Sequence, residues 1–277
     1  MTHFSVLLSV YHKENPIYLE LALNSIWAEQ TVKPTQIVII KDGELTPELN
    51  HILDDFAKTV PVDFIINETN IGLSASLNKG LLACRYELVA RMDTDDIAYP
   101  NRFDRQINFF EKNPEIDVLG SFATKINENG EQYGDLLKVP INNKDIYYYI
   151  WANPFIHPSV MFKRESILRA GNYEIPKDKR MRHDDYELWF RCAFKQMNFC
   201  NIPEPLIYYR HIEETVKKNN RIVAWNRFKV GVKGCYKLRL SPIAYLGLCF
   251  PLFRSILPYP LNVYFNKIML TINPRNK

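Results

Sequence analysis

The first 93 residues alternate between two hydrophobic periods, and that alternation leaves few architectures open. Phe4 to Val10 (FSVLLSV) is an unbroken apolar run of strand length, suited to a strand covered on both faces. Ile17 to Gln30 then places Leu19, Ala22, Leu23 and Ile26 on one helical face. Gln36 to Ile40 reads as a second strand. Thr46-Pro47-Glu48 opens a helix with a capping hydroxyl, a proline in the first turn and an acid at the positive end. Val62 to Ile66 is a third strand, Leu73 to Ala83 a helix and Glu87 to Met92 a fourth strand. β-α-β units in series predict an α/β fold: a doubly wound, mostly parallel central sheet with helices on both faces.

Sheets of this kind bind ligands at the carboxyl ends of their strands. Those positions hold Tyr11 to Glu14, Lys41-Asp42-Gly43, Asn67 to Asn70 and Asp93-Thr94-Asp95-Asp96, so acidic groups gather at one edge. Beyond Pro100 the periodicity predicts a helix over 102–112, strands over 118–126, 157–162 and 206–209, a short helix over 146–151 and an amphipathic helix over Asp184 to Phe194. The chain has 10 glycines, none in G-x-G-x-x-G or G-x-x-x-x-G-K-[ST], which removes the glycine-rich dinucleotide and P-loop sites. Five cysteines without C-x-x-C spacing, behind a start that carries no signal peptide, read as reduced thiols of a cytosolic protein.

Charge divides the chain. Residues 1–214 carry 31 acids against 23 bases, whereas 215–277 carry 12 bases and no acid. The tail's longest uncharged stretch, Leu240 to Phe253, is too short to span a bilayer. A basic tail with Tyr245, Leu246, Leu248, Phe250, Leu252 and Phe253 between Arg239 and Arg254 reads as an interfacial segment for an anionic membrane surface, or as a core-packing helical hairpin.

Two acid clusters carry the chemistry. Three carboxylates in Asp93-Thr94-Asp95-Asp96 repel one another unless a cation or hydrogen-bond donors compensate, and hard cations such as Mg²⁺ and Mn²⁺ prefer oxygen ligands. A turn or helix cap is the plainer alternative. His183-Asp184-Asp185 stands at the start of an amphipathic helix, where acids cap routinely and where one can also act as a base.

The segments SVLLSVYHKENP, IVIIKDG, N-x-GLSASLNKG, ELVARMDTDDIAYPNRFDRQ, NPFIHPSVMF, HDDYELWFR and LIYYR, in this order, resemble bacterial glycosyltransferase family 2 over roughly Phe4 to His211. The resemblance implies a GT-A fold with a nucleotide-binding half at 1–98 and an acceptor half at 99–214, followed by the tail 215–277. It implies an inverting transfer, with Mn²⁺ or Mg²⁺, from a nucleoside-diphosphate sugar (a UDP-sugar at family level) to a lipid-linked oligosaccharide acceptor in surface-polysaccharide assembly. By the same resemblance Asp42 contacts the nucleoside, with Tyr11 and Glu14 walling the pocket, and Asn70 and Asn78 lie in the nucleotide-side loop. Asp93 and Asp95 form the D-x-D pair, with Asp95 on the metal and Asp93 on the ribose or the metal. Arg102 follows that motif, and Arg210 faces the phosphates. Asp185 is the general base. Asp184 stands where the family usually has glutamate, and His157 stands near the acceptor. His211 is a further candidate metal ligand. The expected location is cytoplasmic, peripheral on the inner face of the plasma membrane. A sugar-nucleotide pyrophosphorylase would need a glycine-rich phosphate loop in place of YHKENP, and nucleic-acid binding by the tail would leave the acids unexplained, so no nucleic acid is expected.

Overall fold

The computed structural model of the chain describes residues 2–176, 184–211 and 221–256. Its frame is one sheet of eight strands in the order β3-β2-β1-β4-β7-β6-β8-β5. β1 (Phe4–Val10) lies between β2 (Gln36–Asp42) and β4 (Leu88–Arg91), and β3 (Val62–Asn67) flanks β2, all parallel. Beyond β4 the direction reverses at β7 (Met161–Lys163), which pairs antiparallel with both β4 and β6 (Val118–Ile126). β6 runs parallel to β8 (Phe199–Arg210), and the two-residue β5 (Ile97–Ala98) closes the edge against β8.

Side chains alternate across the pleat, so each central strand feeds two cores. Val6, Leu8, Val10, Ile37 and Ile39 face α1 (Pro16–Ile26), α2 (Pro47–Ala57) and α4 (Arg102–Lys112). Leu7, Val38, Ile40 and Val89 face α3 (Leu73–Ala83) and, further along, α7 (Asp184–Phe194). The N-terminal ends of α1 and α2 follow from the sequence. Asn15 accepts from the Ile17 and Tyr18 amides, Thr46 accepts from Leu49, and each helix has a proline in its first turn.

The less regular half differs from the expected elements for local reasons. Residues 157–162 do not form one strand: Pro158 cannot donate to a ladder, and His157–Ser159 is a 3-10 turn that leads into β7. The expected helix over 146–151 is α5 (Asn143–Tyr148) followed by a 3-10 turn over Ile150–Ala152. α6 (Arg164–Ala170) starts directly from β7 with no loop to mark it, and Gly171 ends it in the left-handed region.

Of the tail expected at 215–277, the described part is a hairpin of α8 (Arg221–Lys237) and α9 (Pro242–Ile256); residues 215–220 and 257–277 lie outside the described residues. Cys235, Ala244 and Leu248 of the hairpin are buried in the same core as Tyr186, Trp189 and Phe190 of α7. No helix among the described residues is long and apolar enough to cross a membrane.

Candidate active site

The strand ends deliver the acids to one edge. Beyond β4 the cluster Asp93, Asp95 and Asp96 offers carboxylate oxygens that all lie within 4.8 Å of one another. Two buried arginines hold this cluster from below. Arg91, the last residue of β4, is fully buried and forms an ion pair with Asp93. Arg102 is also fully buried and donates to the Arg91 carbonyl at 2.7 Å and to the Met92 sulfur at 3.2 Å. Burial, reinforced by the neighbouring Arg91 charge, lowers the Arg102 pKa to about 9. Arg102 therefore reaches no ligand: its first-turn position on α4 aims it inward, where it positions the strand that carries the acids.

Burial and mutual repulsion set the electrostatics of the acids. Burial first and Asp93 second push the Asp95 carboxyl up to about 6, while Asp96 is raised further by burial, Asp95 and Asp93. Glu14, in the β1–α1 loop, is pushed to about 7 by burial, with Asp95 and Asp93 adding to the effect and a hydrogen bond from Thr94 opposing it. The cluster is thus strained by its own charge. Asp96 Oδ1 accepts from the Arg210 amide at 2.8 Å, and Oδ2 is buried with no hydrogen-bond partner among the described residues. Hard oxygen donors this close, one of them unmatched, fit a divalent cation.

The nucleotide-side residues divide into those that face the edge and those that hold it. Asp42 is buried, and its carboxylate accepts from Asn67 Nδ2 at 3.0 Å and from the Ile71 and Gly72 amides at 2.9 and 3.0 Å. It therefore ties β2 to the 67–72 loop. Gly43 permits this closeness: at φ +85°, any Cβ there would stand 2.7 Å from the Asn70 nitrogen. Asn70 closes the same turn, its amide donating to the Asp42 carbonyl at 3.4 Å. Asn78 spends both ends of its amide on the Tyr173 main chain, at 2.8 and 2.9 Å, and is a structural clamp. Tyr11, partly buried, accepts through its carbonyl from the Glu14 amide at 3.1 Å and so shapes the loop that presents Glu14.

Arg210 is buried as well. Its guanidinium donates to the Asp95, Asn127 and Glu128 carbonyls at 2.8, 2.8 and 3.1 Å and stacks 4.0 Å from the Tyr18 ring. It fixes the backbone of the acid loop through Nε and Nη1, while Nη2 is buried with no hydrogen-bond partner among the described residues. His211, the next residue, is exposed, lies outside the acid cluster and has Lys125 as its charged neighbour, so the structure does not place it as a metal ligand.

α7, which the resemblance places on the acceptor side, begins with Asp184 and Asp185. Ser74 Oγ, from the start of α3, donates to Asp184, and Asn153 Nδ2 donates to Asp185 at 3.1 Å. Asn153 sits in the left-handed region at φ 58°. Sequence reasoning missed both partners; the Asn153-Pro154 pair marks a turn and is the one available signal. Tyr209 was also missed, and it joins the two clusters: burial raises its hydroxyl pKa, and Asp96, Asp93, Asp95 and Asp185 all push it the same way.

His157 lies between them, its Nε2 within 2.9 Å of the Tyr173 hydroxyl. Burial first and the Arg91 charge second depress its pKa from 6.5 to about 4. A neutral buried imidazole stabilises the fold above its ordinary pKa, and that contribution is lost as the pH falls from 6.5 toward 4. Compared with His157→Gln, the wild-type chain should therefore lose about 2 kcal/mol of stability between pH 6.5 and 5. Denaturant unfolding of both proteins at the two pH values measures the difference, and parallel losses would place His157 in a solvated setting.

A doubly wound sheet with an acid cluster beyond its fourth strand and a second acid pair on a facing helix defines the GT-A class of glycosyltransferases. The chain belongs to glycosyl transferase family 2, whose family model matches residues 5–200. It is 35% identical over 239 residues to the amylovoran biosynthesis glycosyltransferase AmsE of Erwinia amylovora, covering 86% of each chain. It is 36% identical over 219 residues to an Escherichia coli UDP-Gal:alpha-D-GlcNAc-diphosphoundecaprenol beta-1,3-galactosyltransferase, covering 79% of this chain and 78% of that one. Among solved structures, S. aureus TarS 1-349 matches 92% of this chain and 74% of its own at a TM-score of 0.66 and 16% identity. The mannosyltransferase PcManGT of Pyrobaculum calidifontis, in complex with GDP-Man and Mn²⁺, matches 98% of this chain and 81% of its own at 0.60 and 15%.

Proposed function

We propose that this family 2 enzyme is a metal-dependent inverting hexosyltransferase. It moves a hexose or N-acetylhexosamine from a UDP-sugar to a hydroxyl of a lipid-linked glycan in surface-polysaccharide assembly. The observation that carries the reading is the cluster of three carboxylates within 4.8 Å of one another at the strand ends, with Asp96 Oδ2 buried and unmatched among the described residues, together with Asp185 held by Asn153 at the start of α7. Inversion needs one displacement at the anomeric carbon. Asp185 takes the proton of the acceptor hydroxyl, the freed oxygen forms its bond to that carbon, and the bond to the diphosphate breaks on the opposite face with its electrons on the departing phosphate. Asp93, Asp95 and Asp96 would hold Mn²⁺ or Mg²⁺, which when bound supplies positive charge to the leaving diphosphate.

The relative that acts on a GlcNAc-diphosphoundecaprenol favours an isoprenyl-diphosphate-linked acceptor. The hairpin agrees with an acceptor held in a membrane: Tyr236, Ile243, Leu246 and Phe253 are exposed on it beside exposed Lys237 and Arg239. Exposed aromatic and aliphatic groups flanked by bases suit the surface of an anionic bilayer, here the inner face of the plasma membrane.

A thermal-shift and hydrolysis screen of nucleotide sugars, with Mn²⁺, Mg²⁺ or chelator, tests the reading. A UDP-sugar at a hundredfold excess over its Kd should stabilise the chain by ~2.7 kcal/mol, several degrees in Tm, and only with metal. Stabilisation by no nucleotide sugar, or equal stabilisation in chelator, overturns it.

A further inference from the structure

A valley runs between α7 and α8 that the transfer reaction as described does not use. Residue pairs across the contact advance in step. A Cβ on Gly231 would stand 2.9 Å from the Tyr186 hydroxyl, one on Gly234 would stand 2.3 Å from Phe190 Cδ1, and Lys237 Nζ lies 5.8 Å from the Phe194 ring. The helices are therefore parallel and packed closely through their glycines. Beside this contact lies a cavity of about 400 Å³, which begins at Asp184, the neighbour of Asp185, and ends at Phe194 and Lys237. At 1.5 Å per residue that is a path of ~15 Å leading away from the base.

The two walls are chemically different. α8 contributes Lys229, Lys233 and Lys237 at intervals of four, all exposed, on one stripe, and none in an ion pair with a described residue. Like charges spaced this way repel one another weakly, and an anion lying over the stripe relieves that repulsion. Two acids line the middle of the valley: Glu187 on α7, paired with Arg191 at 2.7 Å and also feeling the Lys233 charge, and exposed Glu174. Near the base end Asn226 lines the cavity; it is 7% exposed, and its Nδ2 has no hydrogen-bond partner among the described residues. A buried donor without an acceptor is unfavourable, and a ligand oxygen removes that cost. At the far end Phe194 is exposed, and Ile175, also exposed, lines the cavity next to Glu174.

We infer that this valley is the subsite for the isoprenyl diphosphate of the acceptor: Asn226 Nδ2, Lys229 and Lys233 donate to its phosphoryl oxygens, and the first isoprene units leave across Phe194. The inference rests on the lipid-linked acceptor proposed above and adds where that acceptor is held. The order of features matches such a molecule, with the sugar hydroxyl at Asp185, the anion over the lysines and the hydrocarbon at the rim.

The test is calorimetric titration of the full chain, in UDP and Mn²⁺, with farnesyl diphosphate. One-to-one binding is expected, weakened about tenfold or more by Lys229→Ala/Lys233→Ala and severalfold by Asn226→Ala. Farnesol and inorganic pyrophosphate should each bind at least ~10-fold more weakly, since each has half of the ligand. Both lysines are exposed, so the double variant folds, and its UDP binding verifies that. Farnesyl diphosphate binding that the variants leave unchanged, or none at all, overturns the subsite. So does a lysine variant that loses only association with phosphatidylglycerol vesicles, which would make the stripe a membrane-facing surface. A chain that binds neither UDP nor Mn²⁺ overturns the proposed function itself, whereas one that binds both but not farnesyl diphosphate overturns the valley alone.

Discussion

Asp185→Asn should lower transfer by about two to four orders of magnitude while donor binding stays intact. The substitution keeps size and shape, and α7 is held by its buried face, Tyr186, Leu188, Trp189 and Phe190, rather than by the carboxylate. An asparagine can still turn its carbonyl oxygen toward Asn153 Nδ2, so the hydrogen bond seen at 3.1 Å has a replacement. What disappears is the ability to take a proton. The acid cluster proposed to hold the donor stands on a different loop, beyond β4, and loses nothing. Steady-state transfer together with calorimetric UDP binding separates the two effects. Near-normal turnover would remove Asp185 as the base, and a parallel loss of UDP binding would make it a donor-side residue.

Legibility in the sequence followed the reach of the interactions involved. β1, α3, α4 and β6 begin and end where the apolar periods do, because each is defined by its own side chains meeting one core. β8 is twelve residues long, well beyond the expected 206–209, because it pairs with β6 through register shifts around Phe122 that accommodate Pro203 and Pro205. Such pairing has no local signal. The acids stood out in the chain because charge at a strand end is visible by position alone. Arg102, Asn78 and Arg210 look the same in sequence whether they face a ligand or the main chain. Their partners lie elsewhere in the chain: Asn78 binds Tyr173, and Arg210 binds Asp95 and Asn127. Burial explains most of this for the two arginines, whose buried guanidinium groups turn to main-chain carbonyls, whereas half-buried Asn78 is fixed by its two bonds to Tyr173.

The same bookkeeping of charge yields the second large effect: Asp95→Asn should abolish metal-dependent nucleotide-sugar binding and at the same time stabilise the metal-free chain. Ordinary loss-of-function substitutions in a buried cluster destabilise. Here the sign reverses. Burial and the neighbouring Asp93 raise the Asp95 carboxyl from 3.8 to about 6, so above that pH the metal-free fold carries an ionised group that the unfolded chain tolerates better. For a carboxylate with a raised folded-state pKa, stability falls as pH rises between the two values and stays low above the upper one. Removing the charge recovers that loss, on the order of 2 kcal/mol at neutral pH. The gain vanishes near pH 4, where Asp95 is protonated in the fold as well. With Mn²⁺ the order should invert, because the wild-type cluster gains a cation among three carboxylates and the variant among two. Thermal unfolding of both proteins at pH 7.5, in chelator and in Mn²⁺, reads both signs. A variant less stable than wild type in chelator would show that Asp95 is held by the fold rather than strained by it, and unchanged Mn²⁺-dependent donor binding would remove it as a ligand.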